Sequence, residues 1–253
     1  MSFWARLVPM SGTLTRCLLL GSVLLVSGGG VAQADPLRVA VASNFMGVAT
    51  QLAANFEAEF GYPVTLISGS TGKHALQIQH GLSVDLVLAA DVERPALLEQ
   101  QGLTIPGTRF TYALGRLALW QPQAVSPGPE TISHSDGATV ALANPKLAPY
   151  GLAAQRALIR LDPAVSVKRV YGENVAQAYQ FVYSGNAQLG LVAYAQVLSQ
   201  PPTSYWLVPG SLHAPIEQQA VLLKETHVGR AFWRYLQSEK ALELIREHGY
   251  DTP

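Results

Sequence analysis

The sequence predicts an α/β fold with two lobes, each built on a mixed, mostly parallel sheet, and a two-strand hinge between them. Apolar runs alternate with amphipathic stretches over residues 37–101, and the alternation restarts at residue 138. Strand-like segments at 110–120 and 216–223 lie between these two parts of the chain. Alternating strands and helices are typical of a parallel sheet covered by helices. Two such units joined by two crossing segments predict a hinged pair of lobes.

The first lobe is predicted to comprise residues 35–112 together with 217–253. Apolar side chains recur every four positions over residues 48–60, which predicts the buried face of a helix that Gly61 ends. The stretch 225–248 would complete this lobe after the chain returns through the hinge. The other predicted elements are strands at 37–42, 64–67 and 85–89, and helices at 73–80 and 93–101.

The second lobe is predicted to comprise residues 113–216. Buried strands are indicated by continuous apolar runs, and helices by apolar residues at helical spacing, such as Ala153 and Ala157. The predicted strands are 138–143, 167–170 and 189–192, and the predicted helices are 151–161 and 175–184.

Residues 1–34 have the features of a cleaved secretory signal peptide. Arg6 and Arg16 form its positive flank, an apolar stretch follows at 18–26, and residues 32–34 are the small-residue motif Ala-Gln-Ala. The apolar stretch is too short to span a bilayer as a helix. We therefore expect cleavage after residue 34 and a periplasmic mature protein.

Charge and cysteine content exclude several classes of protein. The whole chain has a net charge of zero, and removal of the signal, with two Arg and no acidic residue, leaves −2. Such a chain lacks the basic surface that nucleic acids or anionic membranes require. Cys17 is the only cysteine, and Thr15 and Arg16 before it do not resemble a lipoprotein cleavage site. We expect a monomer with neither a nucleic-acid partner nor a lipid anchor.

Four turns that lead from a predicted strand into a helix carry small or hydroxyl residues. Ser, Thr and Asn are common helix N-caps whatever the function, so one such turn indicates only a cap. Helix N-termini also present unpaired N–H groups to anions, and ligands of open α/β sheets bind at the carboxyl ends of strands. Two turns in each lobe predict a shared anion site in the cleft. They are residues 42–44, 68–72, 148–151 and 173–175.

Seven stretches of the chain, taken in order and spacing, resemble the periplasmic molybdate-binding proteins of ABC transporters. This resemblance covers residues 35–253 and implies a two-lobed periplasmic solute-binding protein. It further implies capture of molybdate or tungstate for an inner-membrane ABC permease, with no catalysis and no cofactor. The matching stretches are residues 41–45, 67–72, 83–91, 109–115, 144–151, 172–175 and 189–193.

The resemblance also implies a mode of binding in which hydroxyl and backbone N–H groups hold the oxyanion, without a metal cation or a charged side chain. Position 71 is Thr where relatives often have Ser, which keeps the hydroxyl. The residues implied are Ser43, Thr71 and Tyr150 as hydroxyl and backbone donors, Asn44 and Val175 as backbone donors, and Tyr194, one position from the family pattern, as a further contact.

Neutral donors can hold a dianion, because hydrogen bonds to a charged acceptor are about twice as strong as neutral ones. Each contributes roughly 1.5–3 kcal/mol net, so about six could offset the desolvation of the ion without a buried counter-ion. A partly protonated anion such as phosphate would place its own proton opposite a hydrogen-bond donor of the site and would therefore be rejected. Sulfate would have to be excluded by size.

Other functions remain open at this level. Another anion, such as sulfate, phosphate or a small carboxylate, could occupy the site, and an extracytoplasmic sensor could bind the same ligand. Ser70 and Lys73 fit the S-x-x-K motif of serine hydrolases, although no Lys-Thr-Gly partner motif is present. The six histidines do not have metal-ligand spacing, so no metal cation is expected.

Overall fold

Ten strands and nine α-helices form the framework of the part of the chain that the computed structural model describes, residues 35–124, 126–162 and 166–253. The predicted signal peptide lies outside these ranges. The strands are β1 (Leu37–Ala42), β2 (Val64–Gly69), β3 (Leu86–Leu88), β4 (Phe110–Gly115), β5 (Leu117–Trp120), β6 (Thr139–Ala143), β7 (Lys168–Gly172), β8 (Leu189–Ala193), β9 (Tyr205–Leu207) and β10 (Ile216–Leu222). The helices are α1 (Met46–Phe60), α2 (Thr71–Gln79), α3 (Glu93–Gln100), α4 (Glu130–Ser133), α5 (Pro149–Leu161), α6 (Val175–Tyr183), α7 (Tyr194–Val197), α8 (His227–Tyr235) and α9 (Glu239–Glu247).

The first sheet has the strand order β2-β1-β3-β10-β4. β1 pairs in parallel with β2 and β3, whereas β10 runs antiparallel to both of its neighbours. Four strands therefore share one direction and β10 opposes them. Five of the six residues of β1 are buried, which is typical of a strand covered by helices on both faces.

The second sheet repeats this arrangement with the order β7-β6-β8-β5-β9. β6 pairs in parallel with β7 and β8, and β5 runs antiparallel to β8 and β9. The predicted fold, two lobes with a mixed, mostly parallel sheet in each, is confirmed. Most of the predicted strands and helices agree with the structure to within two residues.

Each lobe has its own apolar core. In the first lobe, Phe56 of α1 packs edge-to-face on Phe232 of α8, with ring centroids 5.0 Å apart. In the second lobe, the fully buried Trp120 stacks on Tyr179 of α6 at 4.7 Å. Aromatic pairs in these geometries add stability to a core beyond what the burial of their apolar area contributes. The core of each lobe therefore stabilises its own sheet.

The chain passes from the first sheet to the second at Arg116, between β4 and β5, and returns before β10. The segment 110–120, predicted as a single strand, is therefore two strands in different sheets. The boundaries predicted at residues 113 and 216 fall inside β4 and β10, which both belong to the first sheet. A register shift between Gln218 and Gln219 places a β-bulge in the returning strand.

None of the helices in the described ranges combines the length and the apolar character needed to cross a membrane.

Candidate functional site

One cavity lies where four helical N-termini meet. They are the 3-10 turn Ser43–Phe45 before α1 and the starts of α2, α5 and α6. These elements follow the carboxyl ends of β1, β2, β6 and β7, two strands from each sheet. The residues that line it are Ala42, Ser43, Asn44, Gly69, Ser70, Thr71, Ala90, Ala148, Pro149, Tyr150, Asn174 and Val175.

The cavity is small and uncharged. Its volume is about 10 Å³, far below the roughly 300–1,000 Å³ of typical organic-ligand pockets. Of the described residues that line it, none is Asp, Glu, Lys or Arg. A site of this size and composition suits a small ion that is held by dipoles rather than by opposite charges.

The hydroxyls of Ser43 and Thr71 are oriented by backbone groups. Ser43 Oγ accepts a hydrogen bond from the N–H of Ala176 at 3.4 Å, and Thr71 Oγ1 accepts one from the N–H of Ala90 at 2.9 Å. A hydroxyl that accepts in this way still has its own proton to donate. Both side chains can therefore act as donors toward the cavity.

Backbone donors come from the first turns of three helices, where N–H groups have no acceptor within the helix. Ser70 and Asn174 cap α2 and α6, each accepting from the third N–H of its helix. These caps leave the first N–H groups, those of Thr71 and Val175, for a ligand. In α5 the N–H of Tyr150 follows a proline at the first position. The positive ends of the helix dipoles add to the attraction of an anion.

Asn44 can offer only its main chain to the cavity, because its side chain is engaged elsewhere. Its Nδ2 donates to Gln218 Oε1 at 2.7 Å and to Tyr250 Oη at 3.2 Å. The Tyr250 hydroxyl in turn donates to the Asn44 carbonyl at 2.7 Å. These bonds fix the loop after β1 so that Asn44 lines the cavity with its backbone.

Tyr150 adds a neutral hydroxyl. The side chain is buried, and its hydroxyl has no hydrogen-bond partner among the described residues. Burial raises the pKa of Tyr150 well above its usual value, because the phenolate would lose its hydration. The hydroxyl therefore keeps its proton at neutral pH. A Cβ on Gly115 would lie 2.3 Å from the hydroxyl oxygen, so only glycine leaves room there.

The structure does not bring Tyr194 to the cavity. Tyr194 begins α7, where its N–H donates to the carbonyl of Arg116 at 2.9 Å. Its ring lies under the Arg116 guanidinium at 5.0 Å and beside Tyr205 at 5.6 Å. The other five predicted residues, Ser43, Asn44, Thr71, Tyr150 and Val175, all line the cavity.

Direct contacts between the lobes close the cavity. The N–H of Gly72 in α2 donates to the carbonyl of Leu147, in the loop before α5, at 2.9 Å. Lys73 and Glu173 form an ion pair at 2.5 Å between the same two lobes. The hydrogen bond from the Ala176 N–H to Ser43 Oγ is a third contact between the lobes. The lobes are therefore in contact on several sides of the cavity.

The S-x-x-K motif is not arranged for catalysis. Ser70 Oγ accepts from the backbone N–H of Lys73 as an ordinary helix cap. The Lys73 ammonium is directed to Glu173 in the other lobe. A serine nucleophile would need a base within hydrogen-bond reach, and the lysine of this motif does not serve as one.

His74 supports the site without adding charge. Its Nε2 lies 3.2 Å from the carbonyl oxygen of Val41, which joins the start of α2 to the end of β1. Burial, the largest cause, lowers the pKa of His74, and the charge of Lys73 lowers it further. The imidazole is therefore neutral at physiological pH. Within the described ranges, no group of three or more His, Cys, Asp or Glu could hold a metal ion.

Comparison with known proteins gives a consistent result. Residues 37–251 match the family described as bacterial extracellular solute-binding protein. The molybdate-binding protein ModA of Azotobacter vinelandii is 41% identical over 95% of this chain and 99% of its own. ModA of Rhodobacter capsulatus is 37% identical over 96% of each chain. The solved periplasmic molybdate-binding protein of A. vinelandii superposes with a TM-score of 0.78, at 34% identity, over 86% of this chain and 99% of that chain.

Proposed function

The chain belongs to the family of bacterial extracellular solute-binding proteins, and on that premise we propose that it captures molybdate for an ABC importer. The observation that carries this proposal is the cavity itself. Neutral donors from four helical N-termini, two in each lobe, surround a space without a charged side chain. Two relatives at 41% and 37% identity are molybdate-binding proteins.

We propose that the anion is held by the hydroxyls of Ser43, Thr71 and Tyr150 and by backbone N–H groups that include those of Asn44 and Val175. Each bond to the dianion contributes roughly 1.5–3 kcal/mol net. A Lys or Arg in the cavity would carry its own desolvation cost. Neutral donors avoid that cost and keep the ion exchangeable, which suits a carrier that must release its ligand to a permease.

Selectivity follows from donor geometry and size. Every polar group assigned to the anion donates a hydrogen bond, so an anion that keeps a proton would place that proton against a donor. Phosphate, partly protonated near neutral pH, is disfavoured for this reason. Sulfate carries the same charge as molybdate but is smaller, so fewer donors could reach it at once. Tungstate matches molybdate in charge and shape, and we propose that it binds as well.

Binding is coupled to closure, because each lobe supplies only part of the donor set. Ser43, Asn44 and Thr71 extend from the first sheet, and Tyr150 and Val175 from the second. A ligand shifts an open–closed equilibrium by its differential affinity for the two states, and here the complete donor set exists only when the lobes are closed. We propose that the closed, liganded monomer then docks on an inner-membrane permease.

The proposal is tested by isothermal titration calorimetry of the purified protein after exhaustive dialysis. We expect one molybdate or tungstate per chain and no binding heat with sulfate or phosphate at the same concentration. The double variant with Ser43→Ala and Thr71→Ala should lose most of the affinity. Tighter binding of sulfate or phosphate than of molybdate would keep the fold assignment and overturn the substrate. No binding of any oxyanion would overturn the function.

A further inference from the structure

Gln218 lies on β10, the strand that returns to the first sheet from the second lobe, and it is not itself among the residues that line the anion cavity. Its side chain is completely buried. The β-bulge between Gln218 and Gln219 lies at this point, and bulges commonly re-aim a side chain next to a functional site. Gln218 Oε1 accepts from Asn44 Nδ2 at 2.7 Å; the Tyr112 hydroxyl lies 3.3 Å from this oxygen and 3.1 Å from the Ala89 carbonyl, which also accepts its single proton. Gln218 Nε2 has no partner among the described residues.

The donors and acceptors around Gln218 determine the orientation of its side-chain amide. The Tyr250 hydroxyl donates its proton to the Asn44 carbonyl, so the Asn44 atom that faces the Tyr250 oxygen must be a donor, Nδ2. The same Nδ2 faces Gln218, so the Gln218 atom there must be the acceptor, Oε1. The Nε2 group of Gln218 is therefore directed away from Asn44.

That Nε2 group lies near the hydroxyl of Tyr150 but is not hydrogen-bonded to it in this structure. A Cβ on Gly115 would lie 3.0 Å from Gln218 Nε2 and 2.3 Å from the Tyr150 hydroxyl oxygen. Both polar atoms are buried, and neither has a partner in the described part of the chain. Two unpaired buried polar groups that share one small space are costly unless they pair with each other or with a ligand.

We propose that Gln218 is a positioning residue of the anion site, whose Nε2 donates to the Tyr150 hydroxyl oxygen once the anion is bound and turns the Tyr150 proton toward that anion. Its Oε1 at the same time holds the Asn44 side chain, so that the Asn44 backbone faces the cavity. Asn44 belongs to the first lobe and Tyr150 to the second, and one amide on the hinge-side strand thus aligns a donor in each. The inference rests on the proposed function and specifies how its donors are aligned.

A double-mutant cycle tests this role. Molybdate affinity is measured by calorimetry for wild type, Gln218→Met, Tyr150→Phe and the double variant. Loss of one positioned hydrogen bond should weaken binding about tenfold in the Tyr150 background. In the Tyr150→Phe background, the further loss caused by Gln218→Met should be at least threefold smaller. Equal losses in both backgrounds would overturn the proposal, because a merely structural role lowers affinity equally in each.

Two further variants separate this role from general damage. Gln219→Met makes the same chemical change at the next residue, whose side chain bonds Arg109 and Thr111, and should bind molybdate as tightly as wild type. If Gln218→Met fails to fold, Gln218→Leu removes the same amide with another apolar side chain; unchanged affinity in that variant would overturn the proposal. Absence of molybdate binding by wild type would refute the proposed function, whereas wild-type binding with additive losses would refute only the role of Gln218.

Discussion

Replacement of Gly72 by Ala should weaken ligand binding without weakening the unliganded fold. Gly72 is the second residue of α2, and its N–H donates across the cleft to the Leu147 carbonyl. A Cβ at this position would lie 2.9 Å from that oxygen and 3.1 Å from Leu147 Cα. Both atoms are backbone, so neither can rotate away. The methyl group would therefore prevent the last few tenths of an ångström of closure.

The magnitude follows from that contact. Forcing a methyl group into a filled space costs about 1–3 kcal/mol, which corresponds to roughly 5- to 150-fold weaker molybdate binding. In an open state the same methyl group would meet no atom of the other lobe. Alanine is also the better helix former, by roughly 0.5–1 kcal/mol in a helix interior. The stability of the unliganded protein should therefore be unchanged or raised.

Calorimetry with molybdate and thermal unfolding without ligand measure these two effects separately. Gly47→Ala in α1 is the matched control, because no atom lies within 4 Å of a Cβ at that position. We expect Gly47→Ala to bind like wild type. If Gly72→Ala bound within twofold of wild type, the closed contact would not be part of the bound state. A loss of affinity together with a lower unliganded melting temperature would show damage to the fold instead.

Ser43→Ala and Thr71→Ala should each weaken molybdate binding by about 1.5–3 kcal/mol in calorimetry, since each removes a charge-assisted hydrogen bond. Unchanged affinity in either variant would remove that hydroxyl from the site. Lys73→Gln should weaken binding by at most about 1 kcal/mol at low salt, because the side chains of the Lys73–Glu173 pair are 44% and 42% exposed. The difference from wild type should vanish near 1 M salt; a large, salt-independent loss would contradict this. Burial lowers the pKa of His74 below its usual 6.5, so the unfolded chain binds more protons just below that pH. The stability that His74 contributes is present above pH 6.5 and is lost as pH falls toward its folded-state pKa. Unliganded His74→Gln should therefore lose less stability than wild type between about pH 7 and pH 5 in denaturant titrations, and identical pH profiles would contradict this.

Local sequence patterns were sufficient to predict most of the fold. β1 was predicted at its observed bounds, because an apolar run interrupted only by Arg38 and followed by Ser43 and Asn44 has few other interpretations. The helix predicted from residue 73 begins two residues earlier, at Thr71, because the Ser70 side chain caps it there. The four small-residue turns were also visible in the sequence, and they meet at one cavity.

The remaining features depend on contacts between distant parts of the chain. The break at Arg116 was not predicted, because the segments on both sides are apolar and strand-like, and only sheet pairing separates them. Tyr194 was placed by resemblance, yet its ring packs on Arg116 and Tyr205. Gln218 was missed entirely. It lies 174 residues from Asn44, and no local pattern distinguishes it from any other strand glutamine.

The most direct test of the neutral-donor site is a crystal structure of the protein with molybdate, in which anomalous scattering locates the metal atom. We expect a single strong peak in the cavity between the lobes, with the oxygens of the ion within hydrogen-bond distance of Ser43, Thr71, Tyr150 and Val175. No Lys or Arg side chain should contact the ion. A peak outside this cavity, or one held by a cationic side chain, would contradict the account.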